Sequence, residues 1–184
     1  MKKEGHTWTK DGYVLRLAQA ADAEEYYRQN FNPLNGEMAR LTGCKKEFTH
    51  DEVVNFFLQC VEADDRYDFL IIAPDGRIIG ESVINDIDTE ARSANYRIGI
   101  FQSTERGKGI GSWAVKMTRD FAFEKLRLHR LELDVFSFNT RAEKAYLAAG
   151  FKREGVLHDA IWDGKEYADD ILMAILEDEW REIK

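Results

Sequence analysis

A chain of 184 residues is long enough for one domain with a substantial core and too short for two comfortable ones. Its hydrophobic fraction of 44% and charged fraction of 33% exclude a disordered or fibrous chain, and no stretch approaches the ~20 apolar residues of a membrane span. A formal net charge of −8 argues against nucleic acid as the main partner and favours the approach of cationic small molecules or basic peptide ends.

The opening Met1-Lys2-Lys3-Glu4-Gly5-His6 runs into polar residues, so no secretory signal is expected. Tyr13-Val14-Leu15-Arg16-Leu17 reads as a first strand, and Asp22 opens a short helix that fades at Asn30-Phe31-Asn32-Pro33. Residues 34–48 show no clear period and read as a long loop or broken helix, and 30–48 is a candidate substrate-side wall. Thr49-His50-Asp51-Glu52 is a capping box, followed at helical spacing by Val53, Phe56, Phe57 and Cys60. A hairpin of strands 69–73 and 77–84 follows, turning at Pro74-Asp75-Gly76. Residues 95–101 form another strand, whose Gly99 suits a bulge, and a helix runs over about 109–125. After strand 131–135, Thr140-Arg141-Ala142-Glu143 reads as a second capping box on a helix that stops at Gly150. The chain closes with strands 156–162 and 170–176 around Asp163-Gly164. This order predicts a single α/β domain over 1–184, with crossovers in a mixed sheet late in the chain and an antiparallel meander early.

Cys44 and Cys60 sit in no metal-ligand spacing and suit a reducing compartment, so a cytoplasmic protein is expected. His6, His50, His129 and His158 share no ligand spacing with each other or with the cysteines, and no metal is expected.

Arg106-Gly107-Lys108-Gly109-Ile110-Gly111 lies between a strand and a helix. Glycines there let backbone N–H groups approach a ligand, and the helix N-terminus adds positive potential. Arg106 and Lys108 reinforce that field within an acidic chain, which suits a diphosphate. Two other readings compete: a turn needing glycine for geometry alone, and a dinucleotide site. Gly109-Ile110-Gly111-Ser112-Trp113-Ala114 satisfies G-x-G-x-x-A, with Glu132 or Asp134 at about the ~20-residue distance of the ribose-binding acid. Yet polar residues Gln102 to Glu105 separate that turn from its strand, and too little chain follows Asp134 for a second mononucleotide half.

The spacing Arg106-x-x-Gly109-x-Gly111 resembles the acetyl-CoA signature of GNAT acetyltransferases, Q/R-x-x-G-x-G/A. Leu131-Glu132-Leu133-Asp134-Val135, leading into Asn139, Ala142, Tyr146 and Gly150-Phe151, is similar to the family's second signature, N-x-x-A-x-x-x-Y-x-x-x-G-F. Lys152-Arg153-Glu154-Gly155-Val156-Leu157, Asp163-Gly164-Lys165-Glu166-Tyr167 and Glu179-Trp180 resemble the RimJ/RimL-like branch that acetylates ribosomal-protein N-termini, and also bacterial spermidine/spermine acetyltransferases.

That resemblance implies a mixed, mostly antiparallel sheet whose splayed central strands hold coenzyme A. It implies acetyl-CoA as the donor, with its diphosphate on the backbone N–H groups of Gly107, Lys108, Gly109, Ile110, Gly111 and Ser112 beside Arg106. The pantetheine arm would pair near Ile100, Phe101 and Gln102, where a main-chain N–H can polarise the thioester carbonyl. Asn139 would bond the pantetheine amide, although it also suits a helix start. Arg141 and Lys144 would meet the 3′-phosphate or simply be solvated charges. Tyr146 would give the leaving thiolate a proton or a strong hydrogen bond, against the alternative of a core tyrosine.

For the general base the family's Glu is missing, since Ala94-Asn95-Tyr96-Arg97-Ile98 stands in its strand; Asp134 and Glu81 are the carboxylates expected to act through water, or to be surface charges. The expected acceptor is a primary amine, small molecule or protein N-terminus, drawn in beside 30–48 by Glu37, Glu47 and Asp51. Relatives of this kind commonly form dimers, which adds a homodimer to the expectations. A different class of function, a non-catalytic acetyl-CoA-binding regulatory module, would keep the cofactor signatures and lose the base.

Overall fold

The computed structural model describes residues 6–44 and 47–184. Residues 1–5, read above for a targeting signal, and 45–46, inside the irregular segment, lie outside the described residues. A β-hairpin opens the described chain, β1 (Thr7–Lys10) and β2 (Tyr13–Leu17), turning on Asp11 and Gly12, both at positive φ. Three helices follow: α1 (Ala23–Asn30), α2 (Gly36–Thr42) and α3 (His50–Glu62). Then come β3 (Tyr67–Ile72), β4 (Ile78–Asp88), β5 (Ser93–Ile100), α4 (Ile110–Glu124) and β6 (Arg130–Phe136). The chain ends with α5 (Thr140–Ala148), β7 (Lys152–Trp162), β8 (Tyr167–Leu176) and α6 (Glu177–Ile183).

All eight strands join one sheet in the order β1-β2-β3-β4-β5-β6-β8-β7. Among the described residues only β5 and β6 pair in parallel, because α4 carries the chain back across the sheet between them. The α5 connection also crosses over, but β8 inserts between β6 and β7 and makes that end antiparallel. The expected mixed, mostly antiparallel α/β architecture is therefore what the chain adopts.

Alternation along the strands gives the sheet two apolar faces. Leu15, Phe69, Leu131 and Ile175, each with no exposed surface, pack with α4 and Trp180 of α6. Fully burying such a side chain is worth about 1.5–3 kcal/mol. On the other face Leu70 and Phe101 pack with Tyr26, Met38 and Phe57 of α1, α2 and α3.

One break in the sheet positions the site. β5 and β6 pair only over Ser93↔Arg130, Ala94↔Leu131 and Asn95↔Glu132. Beyond Asn95, β5 stays on β4 as far as Gly80↔Ile100, while β6 stays on β8 as far as Phe136↔Asp170. The two strands thus part into a slot.

Several expectations change. The segment read as loop contains α2, capped by the Asn35 side chain accepting from Glu37 N and Met38 N. Two further elements, β1 and α6, extend the expected set. Gly99 holds regular register opposite Glu81 and makes no bulge; the irregularity lies between Asn85 and Asp88. At Gly80 a Cβ would lie 2.3 Å from the Gly99 carbonyl oxygen, so it is here that close approach requires glycine. The Thr49–Glu52 capping box forms as expected. The second does not: Asn139 caps α5 by accepting from Ala142 N at 3.3 Å, and Glu143 pairs with Arg153 instead.

Candidate active site

The free edge of β5 follows from its pairing with β4. Phe101 N–H donates to Ile79 O at 2.8 Å, and alternation then turns the peptide groups of Ile98 and Ile100 away from β4 and into the slot. Arg106 Nε donates to the Ile100 carbonyl at 3.0 Å, which leaves both groups of Ile98 and the N–H of Ile100 on the open edge.

Two cavities meet at this edge. One, of about 540 Å³, runs over the glycine turn to the start of α5; the other, of about 590 Å³, lies under α1, α2 and α3 against β4, β5 and β6. Met38, Thr42, Ile98, Gly99, Asn139 and Tyr146 line both.

In the first cavity, Gly107 and Gly109 sit at φ 79° and 78°, and a Cβ on either would meet no atom within 4 Å. Gly111 has ordinary helical backbone, and a Cβ there would come no nearer than 3.8 Å, to Ile100 Cγ1. The first N–H groups of α4 have no partner in their own helix and aim at this open space. Arg106 pairs through Nη1 with Glu37 of α2, while its buried Nη2 has no hydrogen-bond partner among the described residues. Open glycines, helix donors and an orphaned guanidinium nitrogen together fit a diphosphate. Ser112, Arg141 and Lys144 also line this cavity.

Four of the residues expected to meet the cofactor through their main chain turn their side chains elsewhere. Lys108 pairs with Glu105 at 2.9 Å, and Ile110 is buried in the core. Phe101 gives its amide to β4 and its ring to the α1–α3 face. Gln102 Nε2 donates to Gln29 O at 2.8 Å. None of these four side chains lines the cavity of the glycine turn. Lys108 and Ile110 lie within the glycine signature and Phe101 and Gln102 before it; strand alternation and helical rotation direct these side chains, and the expected contacts are their main-chain groups.

The second cavity holds the carboxylates. Glu81 Oε2 accepts from the Tyr26 hydroxyl at 2.6 Å, and Oε1 pairs with Arg97 Nη1 at 2.7 Å. Burial, then the Glu81 charge, pushes the Tyr26 phenol well above its ordinary value. Asp134 lines the same cavity with no hydrogen bond or ion pair among the described residues. Tyr146 is 5% exposed, stacks edge-on to Tyr96 with centroids 6.3 Å apart, and its hydroxyl has no partner among the described residues. Burial, then the charge of Asp134, raises the Tyr146 phenol, so it stays protonated throughout the physiological range. Asn139 caps α5 through its side-chain oxygen and still borders both cavities.

The wall over 30–48 does line this cavity, with Phe31, Leu34, Met38, Leu41 and Phe48, but its acidic residues do not. Glu37 turns to Arg106, Asp51 pairs with His50 and Glu47 is exposed. An acidic wall there is corrected to an apolar one. Tyr26 and Arg97 were missed at the sequence level. Alternation outward from Glu81 and Gly99, cross-strand partners, would have put Arg97 on the cavity face.

A splayed parallel strand pair, a glycine turn at a helix start and a tyrosine between two cavities define an acyl-CoA-binding fold. The acetyltransferase (GNAT) domain family matches residues 13–152, and the chain belongs to that family, whose acetyl donor is acetyl-CoA. Probable N-acetyltransferase YjcK of Bacillus subtilis is 33% identical over 118 residues, 63% of this chain and 65% of that protein. The spermidine N(1)-acetyltransferase of Escherichia coli is 29% identical over 129 residues, 65% of this chain and 69% of that one. Among solved structures, spermidine N-acetyltransferase of Vibrio cholerae, in complex with CoA and spermine, superposes with a TM-score of 0.82 at 23% identity, covering 94% of this chain and 99% of that one. Ribosomal-protein-S5-alanine acetyltransferase of Vibrio fischeri gives 0.82 at 24% identity, covering 95% and 98%. At these identities the two structures speak for the fold alone. Another structure of the Vibrio cholerae enzyme is dodecameric. No helix among the described residues is long and apolar enough to cross a membrane.

Proposed function

We propose that the protein acetylates a primary amine by direct attack on the thioester, with the amine held in the 590 Å³ cavity. The observation that carries this reading is the unpartnered Tyr146 hydroxyl in the wall shared by both cavities. Acetyl-CoA supplies the activated thioester; the chain supplies position and protons. The Ile98 and Ile100 peptides, on the open edge of β5, offer N–H groups for the carbonyl oxygen as charge develops on it.

Tyr146 acts as hydrogen-bond donor to the departing thiolate. Its raised pKa supports donation over full transfer, because a phenol well above ~10 gives up its proton unwillingly to a thiolate of pKa ~8.5. A protonated amine must lose a proton before it attacks. Both oxygens of Glu81 are already engaged, so Asp134, unpartnered and on the cavity wall, is the better base, acting directly or through water.

The names of the relatives suggest two acceptor types, a polyamine and a protein N-terminus. A thiol-release assay with acetyl-CoA against alkylamines, polyamines, amino acids and N-terminal peptides tests the proposal. Turnover with an amine is the expected result. Cofactor binding with no turnover of any amine would make the chain a regulatory binding module instead.

A further inference from the structure

The charged side chains of the acceptor cavity differ in what they have left to offer a ligand. Asp68 accepts from Arg66 through both oxygens at 2.8 Å, and Glu81 is held by Tyr26 and Arg97. Glu52 closes the capping box of α3. Two groups remain. Asp134 has no hydrogen bond or ion pair among the described residues. Arg97 uses one nitrogen, Nη1, on Glu81, and its other N–H donors have no partner among the described residues. A guanidinium carries five N–H donors in a rigid fork that fits carboxylate and carbonyl oxygens. The Arg97 side chain is 45% exposed, and it lines this cavity.

The cavity therefore presents one uncommitted anion and one uncommitted fork of donors. A polyamine satisfies the first and fails the second, since it brings a further cation and no oxygen acceptor to Arg97. An amine with an oxygen acceptor close by satisfies both. The remaining wall is apolar, including Phe31, Met38, Phe57 and Phe101.

We infer that Arg97 is a specificity-determining residue that reads a carboxylate or amide oxygen beside the reacting amine, so that the preferred acceptor is of the α-amino acid or amino-acid amide class with an apolar side chain. This rests on the N-acetyltransferase reading and narrows its substrate. Glu81 holds the fork in place, and the oxygen binds through the donors that Glu81 leaves over.

The test compares leucine, leucinamide, 3-methylbutylamine and spermidine by thiol release, with limiting kcat/KM values taken from full pH profiles. Leucine and leucinamide keep one side chain and vary the oxygen; 3-methylbutylamine removes it. The expected result is a preference of tenfold or more for an oxygen-bearing amine over 3-methylbutylamine. Leucine ahead of leucinamide identifies a carboxylate as the group read; leucinamide equal or ahead identifies a carbonyl, as at a peptide N-terminus. In R97Q the ratio should fall toward one. Because R97Q leaves the Glu81 carboxylate without its ion pair, E81Q/R97Q provides a neutral pair for the same measurement, and circular dichroism checks both folds. Spermidine or 3-methylbutylamine as the best wild-type substrate overturns the inference while keeping the N-acetyltransferase reading. So does an unchanged ratio in a folded variant. Turnover of none of the four, when another amine from the wider panel is acetylated, also overturns only this inference; turnover of no amine at all overturns both.

Discussion

The carboxylate of Asp134 and the phenol of Tyr146 stand near enough for the charge of one to raise the pKa of the other. They come from consecutive elements, β6 and α5, joined by a short turn that Asn139 closes by capping α5. One supersecondary unit thus holds a proton donor and an unpartnered anion at the wall between two cavities.

Replacing Tyr146 by Phe keeps the ring that stacks on Tyr96 and removes only the hydroxyl. Turnover should fall by roughly 10²–10³, the usual range for losing one hydrogen-bond donor to developing charge, with cofactor affinity nearly unchanged. The hydroxyl has no partner to lose among the described residues, so the melting temperature should hold. Steady-state kinetics beside calorimetry checks this, and near-wild-type turnover would return Tyr146 to a packing role.

Gly111 is the clean probe of the diphosphate cradle. Gly109 is at φ 78°, where any side chain strains the backbone, so its loss would confuse folding with binding. Gly111 has helical backbone, and a Cβ there would make only an ordinary contact, 3.8 Å from Ile100 Cγ1. Gly111→Val should leave the protein folded, at a helix-propensity change of well under ~1 kcal/mol, and should weaken acetyl-CoA binding at least tenfold. Undiminished affinity by calorimetry would remove the cofactor from this turn.

The turn between β7 and β8 fastens α2. Asp163 Oδ2 accepts from Arg40 Nε at 2.9 Å and Nη2 at 2.6 Å, while Oδ1 accepts from Lys165 N and Glu166 N at 2.9 Å each. These donors, the Glu166 amide foremost and then Arg40, lower the carboxyl to about 2. A carboxyl depressed in the folded state stabilises above its unfolded pKa of ~3.9, and the stabilisation is lost as pH falls toward the folded value. Asp163→Asn should therefore flatten the loss of stability between about pH 4 and pH 2, read from denaturant midpoints across that range. An equally steep loss in the variant would put the acid sensitivity elsewhere.

Strong local signals were legible in the sequence, whereas elements made by tertiary contact were not. Thr49-His50-Asp51-Glu52 announces α3 because a capping box is a local event. The helix α2 has seven residues, too few to show a period, and its packing falls on Met38 and Ala39. The helix α6 reads as charge; it is held by Trp180, which stacks on Phe123 and donates to Asp120 Oδ1 at 2.9 Å, both distant in sequence. The strand β1 is four residues long with alternating exposed positions. Arg97 was legible only as a departure from a family pattern, since its use depends on the β4–β5 register that sets Glu81 diagonally across from it.

Asp134 supplies the last prediction. If it removes the proton from the bound amine, it matters most where the amine arrives charged. A primary amine of pKa ~10 is mostly protonated at pH 7, and the free base becomes abundant only as pH approaches that value. Asp134→Asn should lower kcat/KM at least tenfold at pH 7, with the deficit shrinking as pH rises toward 10, where the amine needs no base. The Tyr146 phenol keeps its proton over that range because burial, the larger cause of its raised pKa, is untouched by the substitution. A merely structural role would give a deficit that does not vary with pH. The check is a pH profile of kcat/KM for wild type and variant with one alkylamine, and parallel profiles would exclude Asp134 as the base.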